Sequence, residues 1–388
     1  MRKVWILFGF SMLVGLSMNL AHPVTPAHLR SINVDSSLFG IIFASMNLGQ
    51  FIMAPFWGNY GDSRNRKAVL IIGLMGYGIS QALFGLFVNI YLIILVRFTA
   101  GVFASAVISN VLAHISVNDD FKDSKSKIIS LIVAFNVIGS TLGYYIGGFI
   151  GDFFVGKEYV LMYIQGAFNI LLAIVSIKLV NVHEPVKIAS ARQSAFKQLA
   201  QLRKLSKPLF LLVIMMSIIS IAQTNFSKYV DLYMTDIGYK SSDIGSIVFV
   251  TGVVVLIVSF LVVPRLSSRF KDTHILVFSV LVQAIFSFLT FAFDQSYFLI
   301  FAYSFYLIYI AGKAVYEPTV AYHLSTYKDV SPGILMGART SSIALGAIIG
   351  PVLAGFFYDD LGHYMFMILS ILLLMSSVVL YFYQRRRT

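Results

Sequence analysis

The chain is predicted to be an all-α integral membrane protein of twelve transmembrane helices in two six-helix pseudo-repeats, and three observations predict it. Of its 388 residues 58% are hydrophobic and 12% charged, whereas a soluble domain carries about 25% charged residues. The apolar residues gather into twelve runs of roughly 20 residues, the length that crosses a bilayer as a helix. Gly139, Gly143 and Gly148 of the fifth run recur in the eleventh as Gly346, Gly350 and Gly355, at one constant offset. Such an offset marks parallel repeats related by an axis along the membrane normal.

The runs lie at about 4–21, 38–57, 68–88, 90–114, 128–150, 160–180, 209–229, 244–263, 273–293, 297–322, 334–357 and 364–383. In lipid every backbone polar group is paired within its own segment, so each run is expected to be a helix. The first follows Arg2 and Lys3 but has no small-residue cleavage site after it, and is read as a retained helix. The longest polar interval separates six runs from six. It divides the chain into an N-terminal half (1–182), a cytoplasmic linker (183–207) and a C-terminal half (208–388). Residues 195–205 have the apolar spacing of a helix lying along a membrane surface.

The net charge of +12 is distributed by connection. Lys and Arg concentrate on alternate connections, and only Arg30, Lys157, Lys228 and Lys240 fall on the others. This asymmetry places both termini in the cytoplasm and makes the basicity a topology signal, with no nucleic acid partner expected. The absence of cysteine excludes thiolate metal sites, cysteine nucleophiles and disulfides. No interfacial cluster of His, Asp or Glu suggests an enzyme, and no Gly-x-x-x-x-Gly-Lys loop is present to hold a nucleotide.

Four stretches depart from plain lipid-spanning sequence. Pro23 and Pro26 close the first run, where they remove two backbone donors and fix a bend suited to an outer gate. Asn19 and His22 stand just before that bend, as candidates to line a substrate cavity, with His22 also open to proton passage. Arg97 lies inside the fourth run, at an insertion cost of about 2.5 to 3.5 kcal/mol. It is expected to donate to Asn19 or to a carbonyl freed by Pro23, as a clamp between the first and fourth helices. Gly139, Gly143 and Gly147 form one ridge that lets another helix approach closely. Lys313 and Glu317 are one turn apart in the tenth run, before Pro318, and form either a protonation switch or a snorkelling pair at the inner interface. Phe226, Tyr229, Tyr303 and Tyr306 are at helical spacing and either line an adaptable pocket or pack.

Several of these stretches carry a resemblance. Gly58, Asp62, Arg64, Arg66 and Lys67 resemble the loop joining the second and third helices of the major facilitator superfamily, with Ser63 in place of a cation and Asn65 in place of a second Gly. Leu16 to Pro26 is similar to the first-helix signature of twelve-helix drug and proton antiporters, with Ser17 for Gly, and Arg97 with Gly101 to the family's fourth-helix pattern. The glycines of the fifth run resemble the antiporter motif, although Tyr144 stands where a Pro is expected and the Pro falls in the second repeat, at Gly350-Pro351. Ala354 to Asp359 is similar to the eleventh helix of Gram-positive quinolone-type efflux pumps.

The resemblance implies a monomeric carrier of the cell membrane that takes a small-molecule substrate, works by alternating access and uses a proton gradient without any cofactor. It further implies a part for Arg97 in proton transfer, alternative to its reading as a clamp, so that proton coupling is expected through Arg97 together with the Glu317 and Lys313 read above. It also implies an inner latch in which Asp62 docks at the N-terminus of the eleventh helix beside Arg339. The efflux of lipophilic drugs or metabolites is the leading expectation. A sugar or metabolite exporter or symporter of the same fold, or a non-transporting membrane receptor or scaffold, is the alternative. A single cysteine introduced between residues 181 and 207 is expected to react with an impermeant thiol reagent only from the cytoplasmic side. Reaction from the outside alone would reverse the orientation.

Overall fold

The computed structural model describes residues 2–61, 66–117, 125–179, 194, 197, 200, 205–327, 330 and 332–385. Among them are twelve helices long and apolar enough to cross a membrane. They are α1 (Trp5–Ser31), α2 (Ser36–Tyr60), α3 (Arg66–Leu86), α4 (Ile90–Val107), α5 (Ser130–Asp152), α6 (Tyr159–Ile177), α7 (Lys207–Asp236), α8 (Ser241–Arg269), α9 (Asp272–Phe291), α10 (Gln295–Ser325), α11 (Ile334–Leu361) and α12 (Tyr364–Tyr383). No described residue is in a strand. Most of the 183–207 interval, and Asp62, Ser63, Arg64 and Asn65 of the loop after α2, lie outside the described residues.

The turns are short and their chemistry is local. Asn33, Gly156, Gly238 and Gly362 have positive φ, and each lies within a connection that follows an odd-numbered helix. This is the left-handed conformation that stops a helix, and Gly or Asn adopts it most readily. Asp35 caps α2 by accepting from the Leu38 N–H at 2.7 Å. Burial pushes the Asp35 carboxyl up, but hydrogen bonds from Leu38 and Ser37 and the charge of Arg30 outweigh it and hold the group below the usual carboxylate range.

α1 runs beyond the expected end of the first run. Its regular helix closes at Asn19, a 3-10 turn occupies His22–Val24, and helix resumes over Thr25–Ser31. Pro26 fits that second segment because it sits in the first turn, where its missing N–H has no intrahelical partner to lose. α8 and α10 each contain a π-turn, at Val258–Val262 and Ala302–Tyr306. In α8 the turn precedes Pro264, which has no N–H for the carbonyl four residues back.

The chain divides into two compact units: Met1–Ala195 with Gly238–Phe249, and Phe196–Ile237 with Val250–Thr388. In the first unit α1 packs on α5, α2 on α4, and α3 on both α4 and α6. In the second α7 packs on α11, and α9 on both α10 and α12. Adding six to each helix number converts the pairs α1–α5, α3–α4 and α3–α6 into their counterparts, which is the repeat expressed as packing.

Glycine sets the closest of these contacts. A Cβ built on Gly139, Gly143 or Gly147 of α5 would overlap the carbonyl oxygen of Met12, Leu16 or Leu20 of α1 in turn. The two backbones therefore touch along three helical turns. The second unit repeats the arrangement with a looser fit: a Cβ at Gly346 would overlap Ser220 of α7, and one at Gly350 would meet Ile221 at 3.2 Å. Gly139→Val is expected to destabilise the protein by about 1 to 3 kcal/mol through overpacking, read as a lower thermal midpoint in detergent. Gly9→Val, which meets nothing within 4 Å, is the control; equal midpoints for the two would remove the ridge from the account.

Candidate functional site

The functional chemistry of the first unit starts from how α1 ends. Closing the regular helix at Asn19 leaves its last carbonyls without intrahelical donors. Three side chains from two other helices supply them. Tyr77 of α3 donates to the Met18 carbonyl at 2.9 Å, and Gln165 and Asn169 of α6 donate to the Ser17 carbonyl at 2.9 and 3.2 Å. Ser17 in turn donates through Oγ to Asn169 Oδ1 at 3.1 Å.

Arg97 belongs to this network. Its Nη1 donates to Gln81 Oε1 at 3.2 Å, and Gln81 Nε2 donates to Gln165 Oε1 at 2.5 Å. The expected bond to Asn19 is not made: Asn19 Nδ2 donates to the Gly15 carbonyl one turn back, at 2.8 Å. The bend is served by tyrosine and carboxamides, which are neutral, and the arginine is one step removed. α4 is linked to α1 through Gln81 and Gln165.

Arg97 is fully buried, and no carboxylate pairs with it among the described residues. Its guanidinium lies 4.7 Å from the Phe84 ring centroid and 5.4 Å from that of Phe43. A desolvated cation–π contact contributes about 2 kcal/mol, and a hydrogen bond to a charged group about 1.5 to 3 kcal/mol. Together they are of the same order as the insertion cost, so the site tolerates the charge without an acid. Nε and Nη2 remain without a partner among the described residues.

Beside this network is a cavity of about 370 Å³ whose lining includes Ser11, Asn19, His22, Gln50, Tyr77, Asn136 and Ser140 with Val14, Met18 and Met46. Asn19 and His22 therefore face an open space, and the His22 ring stacks on Tyr144 at 5.5 Å. Gln50, Asn136 and Ser140 were not singled out by sequence. The signal available for them, as for Gln81 and Gln165, is an uncharged amide or hydroxyl in an apolar span, where an unsatisfied polar group is costly.

In the second unit Glu317 of α10 accepts from Arg339 Nη2 of α11 at 2.7 Å. Arg339 thus has a local partner that the latch reading did not foresee; Asp62, the other half of that latch, lies outside the described residues. Glu317 is 36% exposed. Lys313 makes no hydrogen bond or ion pair among the described residues, although it stands one turn from Glu317. His323 is almost fully buried and meets Asp272 of α9 at 2.7 Å.

The four aromatics of the second unit are mostly packing. Phe226, Tyr229 and Tyr306 are buried. Tyr229 donates to the Pro351 carbonyl and Tyr306 to the Phe226 carbonyl, each at 2.9 Å, and the Phe226 ring contacts Phe291, Tyr309 and Phe366. Tyr303 is exposed. None of the four lines the cavity above. Asn225 donates to the Gly350 carbonyl at 3.1 Å, so the Gly350-Pro351 segment is held to α7 by side-chain donors. Near the loop after α2, Gly58 accepts from the Gly61 N–H, Arg66 is buried at the start of α3, and Lys67 Nζ donates to the Ile177 carbonyl at 2.5 Å. That last contact places a cation at the carbonyl end of α6, where the helix dipole favours it. Pro23 and Pro26 are buried in the bend. No group of three or more His, Cys, Asp or Glu arranged to hold a metal occurs among the described residues.

Twelve spans, two units with one packing scheme, and a cavity among the helices of the first define a polytopic transporter fold. The family model for the Major Facilitator Superfamily matches residues 7–329 and 232–388, and the chain belongs to that family. It is 25% identical over 362 residues to the quinolone resistance protein NorA of Staphylococcus aureus, covering 92% of this chain and 90% of that one. It is 24% identical over 371 residues to multidrug resistance protein 2 of Bacillus subtilis, covering 93% and 90%. Among solved structures it resembles the nucleoside transporter NupG, with TM-score 0.78 and 15% identity over 99% of each chain. It also resembles a D-xylose–proton symporter, with TM-score 0.71 and 14% identity over 97% and 96%.

Gln81→Leu is expected to lower stability by about 1 to 3 kcal/mol, because it leaves the buried Arg97 Nη1 without an acceptor. The double variant with Arg97→Leu is expected to recover part of that loss in thermal unfolding. Equal destabilisation by the single and double variants would argue against the coupling.

Proposed function

We propose that the chain is a secondary active transporter of the cell membrane that exports small drugs or metabolites in exchange for protons. Both termini are cytoplasmic in this reading, and the protein acts as a monomer with the proton gradient as its only energy source. Export is supported by the two bacterial resistance proteins, whose similarity extends over more than nine-tenths of the chain.

The observation that carries the coupling is the Glu317–Arg339 pair. It is an ion pair inside two membrane spans, where ionisable residues are rare and mark ion or proton pathways. Protonating Glu317 removes the charge that holds Arg339. A change in proton occupancy therefore changes a contact between α10 and α11. Lys313, one turn away, is the cation that can take over Glu317 when Arg339 moves. Pro318 and the π-turn of α10 bracket that segment and supply places for the helix to bend. Arg97 acts in this scheme by holding α1 through Gln81. The ridge of Gly139, Gly143 and Gly147 lets α5 slide along α1, while Gly58, Arg66 and Lys67 act at the inner loop.

A neutral metabolite exporter or symporter is the second reading, and the cavity favours it because no Asp or Glu lines that space. In energised vesicles loaded with a substrate panel, Glu317→Gln is expected to abolish flux driven by a pH gradient while leaving downhill exchange. Arg339→Gln is expected to reduce both. Undiminished pH-driven flux in Glu317→Gln would remove the coupling role.

A further inference from the structure

The polar wall of the first unit's cavity has a direction. Asn19 Nδ2 donates to the Gly15 carbonyl and Asn136 Nδ2 to the Ser11 carbonyl, at 2.8 and 3.1 Å. A carbonyl only accepts, so each amide must present its nitrogen to it, and the orientation of both carboxamides is forced. Each Oδ1 is left without a donor among the described residues. The hydroxyls point the same way: Ser11 donates to the Ile132 carbonyl, Ser140 to the Asn136 carbonyl and Tyr77 to the Met18 carbonyl, at 3.1, 2.9 and 2.9 Å. Asn19, Asn136 and Ser140, on two helices, thus have donors occupied by backbone and oxygens free to accept, whereas Ser11 and Tyr77 are buried and the Tyr77 hydroxyl also accepts from Gln165. Gln50 makes no hydrogen bond among the described residues and adds one rotatable amide.

The charge balance narrows the ligand further. The lining contains no Asp, Glu, Lys or Arg, and Arg97, buried in the same unit, has no carboxylate partner among the described residues. A permanent organic cation finds no counter-charge here. An anion brings only acceptors to a wall whose Asn19, Asn136 and Ser140 oxygens also accept, although the Gln50 amide and the His22 ring line the same space. A solute that carries O–H or N–H donors and no net charge satisfies the exposed oxygens, while Val14, Met18 and Met46 accommodate its apolar faces. Buried oxygens left unmatched make such a site reject analogues that lack the donor.

We propose that this cavity binds neutral solutes rich in hydroxyl donors, polyols being the simplest class, in preference to lipophilic cations. The proposal rests on the transporter reading above and names the substrate class of that carrier.

The test measures binding apart from transport. Purified full-length protein in detergent is equilibrated with tritiated neutral polyols, from glycerol to a disaccharide. The permethylated forms, which keep the carbon skeleton and oxygen count but replace every O–H by the bulkier O–CH3, serve as competitors, and tritiated tetraphenylphosphonium serves as the cationic probe. Saturable polyol binding that the permethylated forms fail to displace is expected. Gln50→Glu, which breaks no hydrogen bond, is expected to shift the preference toward tetraphenylphosphonium by about tenfold. Asn136→Leu is expected to weaken polyol binding by about tenfold with its thermal midpoint recorded alongside; the permethylated competition on the unaltered protein decides the matter if that variant does not fold. Tighter binding of tetraphenylphosphonium than of every polyol, or equal competition by permethylated forms, would overturn the proposal. Polyol binding without pH-driven flux would sustain the cavity assignment and remove proton coupling. Proton-driven flux of tetraphenylphosphonium with no polyol binding would do the reverse.

Discussion

The rest of the structure depends on the early stop of the first helix. Helix α1 cannot continue its ladder through Pro23, and in lipid no water is available to take the carbonyls this exposes. The donors therefore come from Tyr77, Gln165 and Asn169. Those three residues fix where α3 and α6 stand against α1. Gln81, held by Gln165, then offers the oxygen that makes Arg97 tolerable in α4. On the opposite side the glycine ridge brings α5 into backbone contact with α1. One bend thus organises four neighbouring helices, and the cavity lies where their polar side chains have turned their donors away.

The two units share a packing scheme and differ in chemistry. Carboxamide pairs recur, Gln81 with Gln165 in the first and Gln223 with Gln283 in the second, the latter at 2.7 Å. The first unit keeps a buried cation, Arg97, with no acid paired to it among the described residues. The second keeps an ion pair, Glu317 with Arg339, beside a Lys313 that makes no ion pair among the described residues. A protonation switch needs an accessible carboxylate, and Glu317 of the second unit is 36% exposed. Recognition of an uncharged solute needs fixed dipoles and no net charge, and the first unit's cavity provides that.

Much of the fold was legible in the sequence because membrane spans are written by composition and length. The twelve helices, the ridge at Gly139, Gly143 and Gly147, and the bend at Pro23 follow from local rules about lipid, small residues and missing donors. Partner identity did not follow. Helical spacing puts Glu317 on the same face as Lys313, but it is silent about Arg339, which arrives from another helix. It also sent Arg97 toward Asn19, when Asn19 closes on its own helix and Gln81 intervenes. The aromatics show the same limit from the other side: Phe226, Tyr229 and Tyr306 have the spacing of a pocket wall and the surroundings of a core, because period alone does not say what an apolar face meets. Asn136 and Gln50 carried the only available signal, a lone amide in an apolar run, and that signal has no direction until neighbours are known.

The account's central claim is that the cavity of the first unit is the solute's path and opens to one side of the membrane at a time. The chain contains no cysteine, so Gln50→Cys creates a single reporter on the cavity wall without removing a hydrogen bond. Its reaction with an impermeant thiol reagent can be followed from each face of oriented proteoliposomes under opposite pH gradients. The account predicts that reversing the gradient exchanges the side from which the cysteine reacts faster. A cysteine that reacts from one side only, at a rate indifferent to the gradient, would contradict it.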